Sequence, residues 1–95
     1  MKNRFVNDFE KFARENGFQL ELGRWNFVYT EGERKVTLPV EMLMHGDFLC
    51  ELSRETVKAW DAPFDAEKID ESTRARILER IERFVELTGK KVRIY

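Results

Sequence analysis

A chain of 95 residues makes one domain with a core of limited size. Its 17 basic and 18 acidic side chains nearly cancel, and a net charge of -1 argues against a dedicated nucleic-acid binder, which carries a basic excess. Apolar residues reach 42% and include eight Phe, enough for a packed interior, while no apolar run approaches the roughly 18 residues of a membrane span.

The single cysteine, Cys50, has no internal disulfide partner, which suits a reducing compartment. Its neighbours Phe48, Leu49 and Leu52 make it a core thiol rather than a nucleophile. The N-terminal segment MKNRFVNDFE lacks the apolar centre of a signal peptide, so a cytoplasmic location is expected.

Phe5, Val6, Phe9, Phe12 and Ala13 form an apolar stripe of helical period over roughly residues 4–16. Gly17 is a natural stop, and Phe18 just past it is placed to fold back on Phe12 or Ala13. From Phe18 the period becomes two. Phe18, Leu20 and Leu22 make one strand, Gly23-Arg24 breaks it, and Trp25, Phe27 and Tyr29 resume it.

Glu31-Gly32-Glu33 reads as a hairpin connection to a strand carrying Val36, Leu38 and Val40. Pro39 in that strand marks an edge or an end, because it cannot donate a ladder hydrogen bond. Met42-Leu43-Met44 is apolar without clean alternation and fits either core or an exposed contact. His45-Gly46-Asp47 is the next turn, Phe48, Cys50 and Leu52 the next strand, and Thr56 to Trp60 a last short strand. Residues 61–71 then hold Asp61, Asp65, Glu67, Asp70 and Glu71 against one base, Lys68.

Residues 69–88 carry the strongest signal. Ile77, Leu78, Ile81, Phe84 and Val85 fall on one helical face, with Arg76, Glu79, Arg80, Glu82, Arg83 and Glu86 opposite. Asp70 is the N-cap candidate, Glu79 and Arg83 an ion pair of helical spacing, and Gly89 the terminator. Val92 and Ile94 then alternate with Arg93 and Tyr95 as a final strand. The expected fold is a single α+β domain spanning 1–95, an antiparallel sheet of about five to six strands with both helices on one face.

Chemistry is sparse. His45 is the lone histidine, and a Cys50–His45 pair has no motif behind it. Two potential N/S ligands are too few for zinc, the calcium-loop spacing is absent, and the glycines sit at turns rather than in a phosphate loop. Neither a catalytic residue, a metal site nor a cofactor is expected. The acidic stretch reads as a solvated loop or as a partner-facing patch. Trp25, Phe27 and Tyr29 could stack bases on a sheet face, but without a basic excess they read as packing.

Trp60-Asp61-Ala62-Pro63, the acidic loop, the helix with Arg74, Ile77, Leu78, Ile81 and Phe84, then Gly89 and a strand make a recognisable order. Over roughly residues 36–95 it resembles the bacterial polymorphic-toxin immunity proteins of the immunity protein 74 family, small α+β domains with a Trp-Asp-x-Pro turn before a terminal helix. The resemblance implies a cytoplasmic, non-catalytic protein that binds and blocks a cognate toxin delivered by neighbouring cells. An acidic rim of Asp61, Asp65 and Glu67, with Trp60 and Glu71 beside it, would face a basic toxin such as a nuclease domain. Trp60, Asp61, Pro63 and Gly89 would fix the motif's geometry. A second reading stays open, a small regulatory or adaptor domain that self-associates through the edge at Val36–Val40 or through the C-terminal strand.

Overall fold

The computed structural model describes the backbone of residues 4–95, and the side chains of 10–43 and 46–95. The first helix, α1, spans Arg4–Glu15. Of its stripe, Phe5, Val6 and Phe9 lie outside the described side chains, whereas Ala13 is buried and Phe12 partly so. Phe18 does fold back: its amide donates to the Ala13 carbonyl at 3.0 Å, and its ring meets Phe12 edge-on at 5.8 Å.

Three strands follow, β1 (Gln19–Leu22), β2 (Asn26–Glu31) and β3 (Arg34–Pro39), joined as an antiparallel meander in the order β1-β2-β3. Register sets their two faces. Leu20, Tyr29 and Val36 form one cross-strand row and Phe27 and Leu38 belong to the next, and all five are buried. Gln19, Thr30 and Lys35 form a row on the other face, as do Glu21, Val28 and Thr37, and Asn26 pairs with Pro39 there.

A second sheet contains β4 (Glu41–His45), β5 (Phe48–Leu52) and β6 (Lys91–Ile94), in the order β4-β5-β6. This corrects the expectation of one antiparallel sheet. The chain leaves the first sheet at Pro39–Val40, where the Val40 amide donates to the Trp25 carbonyl at 2.9 Å, and β4 pairs only with β5. The C-terminal strand runs parallel to β5. A parallel neighbour needs a crossover, and helix α2 (Glu71–Glu86) supplies it.

The expected strand at Thr56–Trp60 is also corrected. Arg54–Thr56 is a short 3-10 turn, and only Ala59 makes a bridge, to Lys68. Helix α2 is otherwise as its pattern implies: Ile77, Ile81, Phe84 and Val85 are buried. The Asp70 carboxylate accepts from the Thr73 amide at 2.8 Å, and hydrogen bonding from the Thr73 side chain, then from that amide, holds the carboxyl below the usual carboxylate range. Gly89, at a φ of +86°, occupies the left-handed region beyond the helix end.

One core serves both sheets. Phe18 stacks on Tyr29 at 5.4 Å and meets Phe84 at 6.2 Å, tying α1, β2 and α2 together. Cys50, Leu52 and Val92 bring the second sheet into the same cluster. Burial pushes the Cys50 thiol up to about 11, which leaves it a poor nucleophile. The His45 half of the conceivable Cys50–His45 pair lies outside the described side chains.

Candidate partner-binding face

Residues 57–70 form a strap laid along β3 and latched at several points. The Asp61 amide donates to the Lys35 carbonyl at 2.8 Å, while its carboxylate accepts from the Thr37 amide at 3.2 Å and the Thr37 hydroxyl at 2.6 Å. Asp61 thus occupies the edge groups of β3 that a further strand would use, which closes the edge at Lys35 and Thr37 to self-pairing. Glu67 receives a two-pronged contact from Arg34, Nε at 2.7 Å and Nη2 at 2.9 Å. That pairing lowers the Glu67 carboxyl from its ordinary value and raises the Arg34 guanidinium. Arg34 also lies over the Phe64 ring at 4.5 Å.

Within the strap Trp60 is 8% exposed and packs in the core cluster, so the indole faces inward. Pro63 follows a cis peptide and is exposed. The Phe64 amide closes the turn onto the Asp61 carbonyl at 3.0 Å. The acidic residues therefore divide into two groups. Asp61, Glu67 and Asp70 are engaged inside the chain, whereas the Asp65 carboxylate makes no hydrogen bond or ion pair among the described residues. Glu71 stands out in solvent, with Arg74 only at 3.9 Å.

The reverse side of the strap's sheet is tied to α2 by a cluster that the helical pattern assigned to the solvent face. Arg76 Nη2 donates to Glu31 at 2.6 Å, and Arg80 Nη1 to the Tyr29 hydroxyl at 2.8 Å and Glu31 at 3.3 Å. The Tyr29 hydroxyl donates in turn to Glu31 at 2.7 Å. Burial, first, and the Glu31 bond push this phenol up to about 12. Two arginines four apart on a helix were readable. Their shared carboxylate, far earlier in the chain, was not.

With the core on one side, the other face of β1-β2-β3 is open among the described residues, bordered by the strap along β3. It presents Gln19, Glu21, Asn26, Lys35, Thr37 and Pro39, with half-buried Val28 and Thr30 between them. At its end stands the β1–β2 turn with Trp25, 69% exposed. A base-stacking platform of Trp25, Phe27 and Tyr29 does not exist, because Phe27 and Tyr29 are fully buried. Met42 packs partly against the core, Leu43 is half-buried, and Met44 lies outside the described side chains. A groove of about 710 Å³ between α1 and β1 has an apolar floor of Ala13, Phe18, Leu20 and Phe84. Among the described residues no group of three or more His, Cys, Asp or Glu side chains could hold a metal ion. Among the described residues no helix is long and apolar enough to cross a membrane.

This geometry defines a small two-sheet α+β domain with an exposed, mainly polar sheet face and a latched strap. A family model described as immunity protein 74 matches residues 19–95, and the chain belongs to that family. The match reaches back to β1, well before residue 36, and leaves α1 outside it. Neither a curated protein nor a solved structure matches the chain.

Proposed function

We propose that this chain is a bacterial immunity protein that binds a cognate toxin in the cytoplasm and neutralises it by occlusion, with no chemistry of its own. The observation that carries the reading is the family match across both sheets and α2. The open face of β1-β2-β3 and its bordering strap are the surface we assign to the toxin. A sheet face whose strands are held by ladder hydrogen bonds suits occlusion, because little ordering is lost when a partner covers it.

Charge steering is assigned to Asp65 on the strap and Glu71 at the start of α2, exposed carboxylates able to face a basic partner such as a nuclease-type domain. Asp61 and Glu67 act mainly through the shape of the strap: Arg34 pairs the Glu67 charge, and the Thr37 amide and hydroxyl fix the Asp61 carboxylate in place. Trp60 supports the strap from within and reaches the toxin only through it.

The test has two stages. Immobilised protein is exposed to a lysate of the source bacterium, and the retained toxin domain is co-expressed with it in a sensitive host. Survival that depends on the immunity chain supports the reading, and killing that proceeds unchanged overturns it. Asp65→Lys with Glu71→Lys should then slow association and flatten its salt dependence. Unaltered rates at low salt would dispose of the steering role while leaving occlusion intact.

A further inference from the structure

We infer that the β1–β2 turn, Gly23-Arg24-Trp25, is the anchor by which this chain grips its toxin. Trp25 enters an apolar pocket of that protein and Arg24 meets a carboxylate at the pocket's rim. The inference rests on the immunity reading and names the residues that hold the partner.

Four large apolar side chains stand out in solvent among the described residues: Leu22, Trp25, Phe48 and Tyr95, with Trp25 the most exposed at 69%. Two of them, Leu22 and Trp25, flank this one turn. The turn is also rigid. The Gly23 amide donates to the Asn26 carbonyl at 2.9 Å, and the Val40 amide donates to the Trp25 carbonyl at 2.9 Å. A Cβ on Gly23 would lie 2.6 Å from the Asn26 carbonyl oxygen, so a side chain there would force the turn open. The sequence therefore spends a glycine on holding an indole out in water.

Arg24 completes the device. Its guanidinium lies 5.3 Å from the centre of the Trp25 ring, a cation–π contact that orders both side chains before any partner arrives. Trp and Arg are the residue types most enriched where truncation costs an interface most, and preordering reduces the entropy lost on binding. Charge selects the class of occupant. Arg24 is exposed and makes no ion pair among the described residues, which leaves its charge for a partner. An exposed cation beside an indole suits a protein pocket with an acidic group at its rim, and the chain's net charge of -1 disfavours a phosphate backbone. The turn adjoins the open sheet face through the Asn26–Pro39 pair, so a toxin seated there meets it.

The experiment uses the purified toxin domain retained by the wild-type chain, with dissociation constants measured for wild type, Trp25→Ala and Arg24→Glu. Trp25→Ala should weaken binding at least about 30-fold, the usual threshold for such an anchor, mainly through faster dissociation. Arg24→Glu should weaken it by about 10-fold, with unchanged melting temperatures showing that both variants fold. Undiminished affinity of Trp25→Ala overturns the inference and leaves the immunity reading standing. A wild-type chain that neutralises no toxin overturns both. A concentration-dependent dimer, or binding to single-stranded RNA, that Trp25→Ala abolishes would assign the turn to a different occupant and equally overturn the inference.

Discussion

The strap and the β1–β2 turn invite comparison because each carries a tryptophan beside charged residues, yet the fold uses them in opposite ways. In the strap the indole of Trp60 is buried, and Asp61 and Glu67 bond to Thr37 and Arg34. In the turn the indole of Trp25 is exposed and the Arg24 guanidinium lies 5.3 Å from the centre of its ring. The strap's chemistry is directed inward, towards closing a sheet edge. That of the turn is directed outward. A run of acidic residues is therefore a poor guide to a binding surface until the partners of each carboxylate are known.

The widest separation between the two regions should come from their tryptophans. Trp60→Ala removes a buried aromatic and should cost about 3–5 kcal/mol, read as a loss of melting temperature or denaturant midpoint. Trp25→Ala should stay within about 0.5 kcal/mol of wild type. Equal losses would mean that the turn is structural after all.

Asp61→Ala sharpens the claim that the strap guards an edge. It leaves the Thr37 amide without its acceptor and should cost about 1–2 kcal/mol. It also frees part of the β3 edge, so sedimentation should show more self-association than in the wild type. A destabilised variant that stays monomeric would limit Asp61 to anchoring the strap.

Tyr29 gives the comparison a pH axis on the helix side of the sheet. Its phenol is raised from 10.0 to about 12, so the folded state holds the proton more tightly than the unfolded chain. Its contribution is complete below pH 10 and is lost as pH rises through about 12. Tyr29→Phe should lose that alkaline slope in urea titrations, and an identical slope in the variant would exclude the phenol as its source.

Glu67→Gln should give the smallest effect, a slight drop in melting temperature that salt diminishes, because the Arg34 pair is exposed. At acid pH the same carboxyl works with the opposite sign from Tyr29. Its folded value is lowered, so its contribution is present above its ordinary 4.5 and fades as pH falls below that.

Much of the fold was legible. The stripe through Ile77, Ile81 and Phe84 and the alternation through Val36 and Leu38 are local periodicities set by burial. Asp70 and Gly89 are read from helix-end chemistry. The division into two sheets was not legible, because it depends on which strand β4 adopts as neighbour once the chain turns at Val40. Nor was the parallel β6, whose direction follows from the α2 crossover. At the site, the acid-rich stretch was visible, but the partners of Asp61 and Glu67 lie on β3, distant in sequence. Trp25 was hidden by its own regularity. It continues the alternation of Phe27 and Tyr29, and only the Gly23 turn, held by Asn26 and Val40, takes it out of the strand.

Fluorine NMR of protein labelled with fluorotryptophan tests the central contrast most directly, since the chain has two tryptophans, one exposed and one buried. Saturating, unlabelled toxin should shift and broaden the Trp25 signal while that of Trp60 holds its position. A Trp25 signal unmoved in a fully formed complex, with Trp60 shifting instead, would place the grip on the strap and contradict the account.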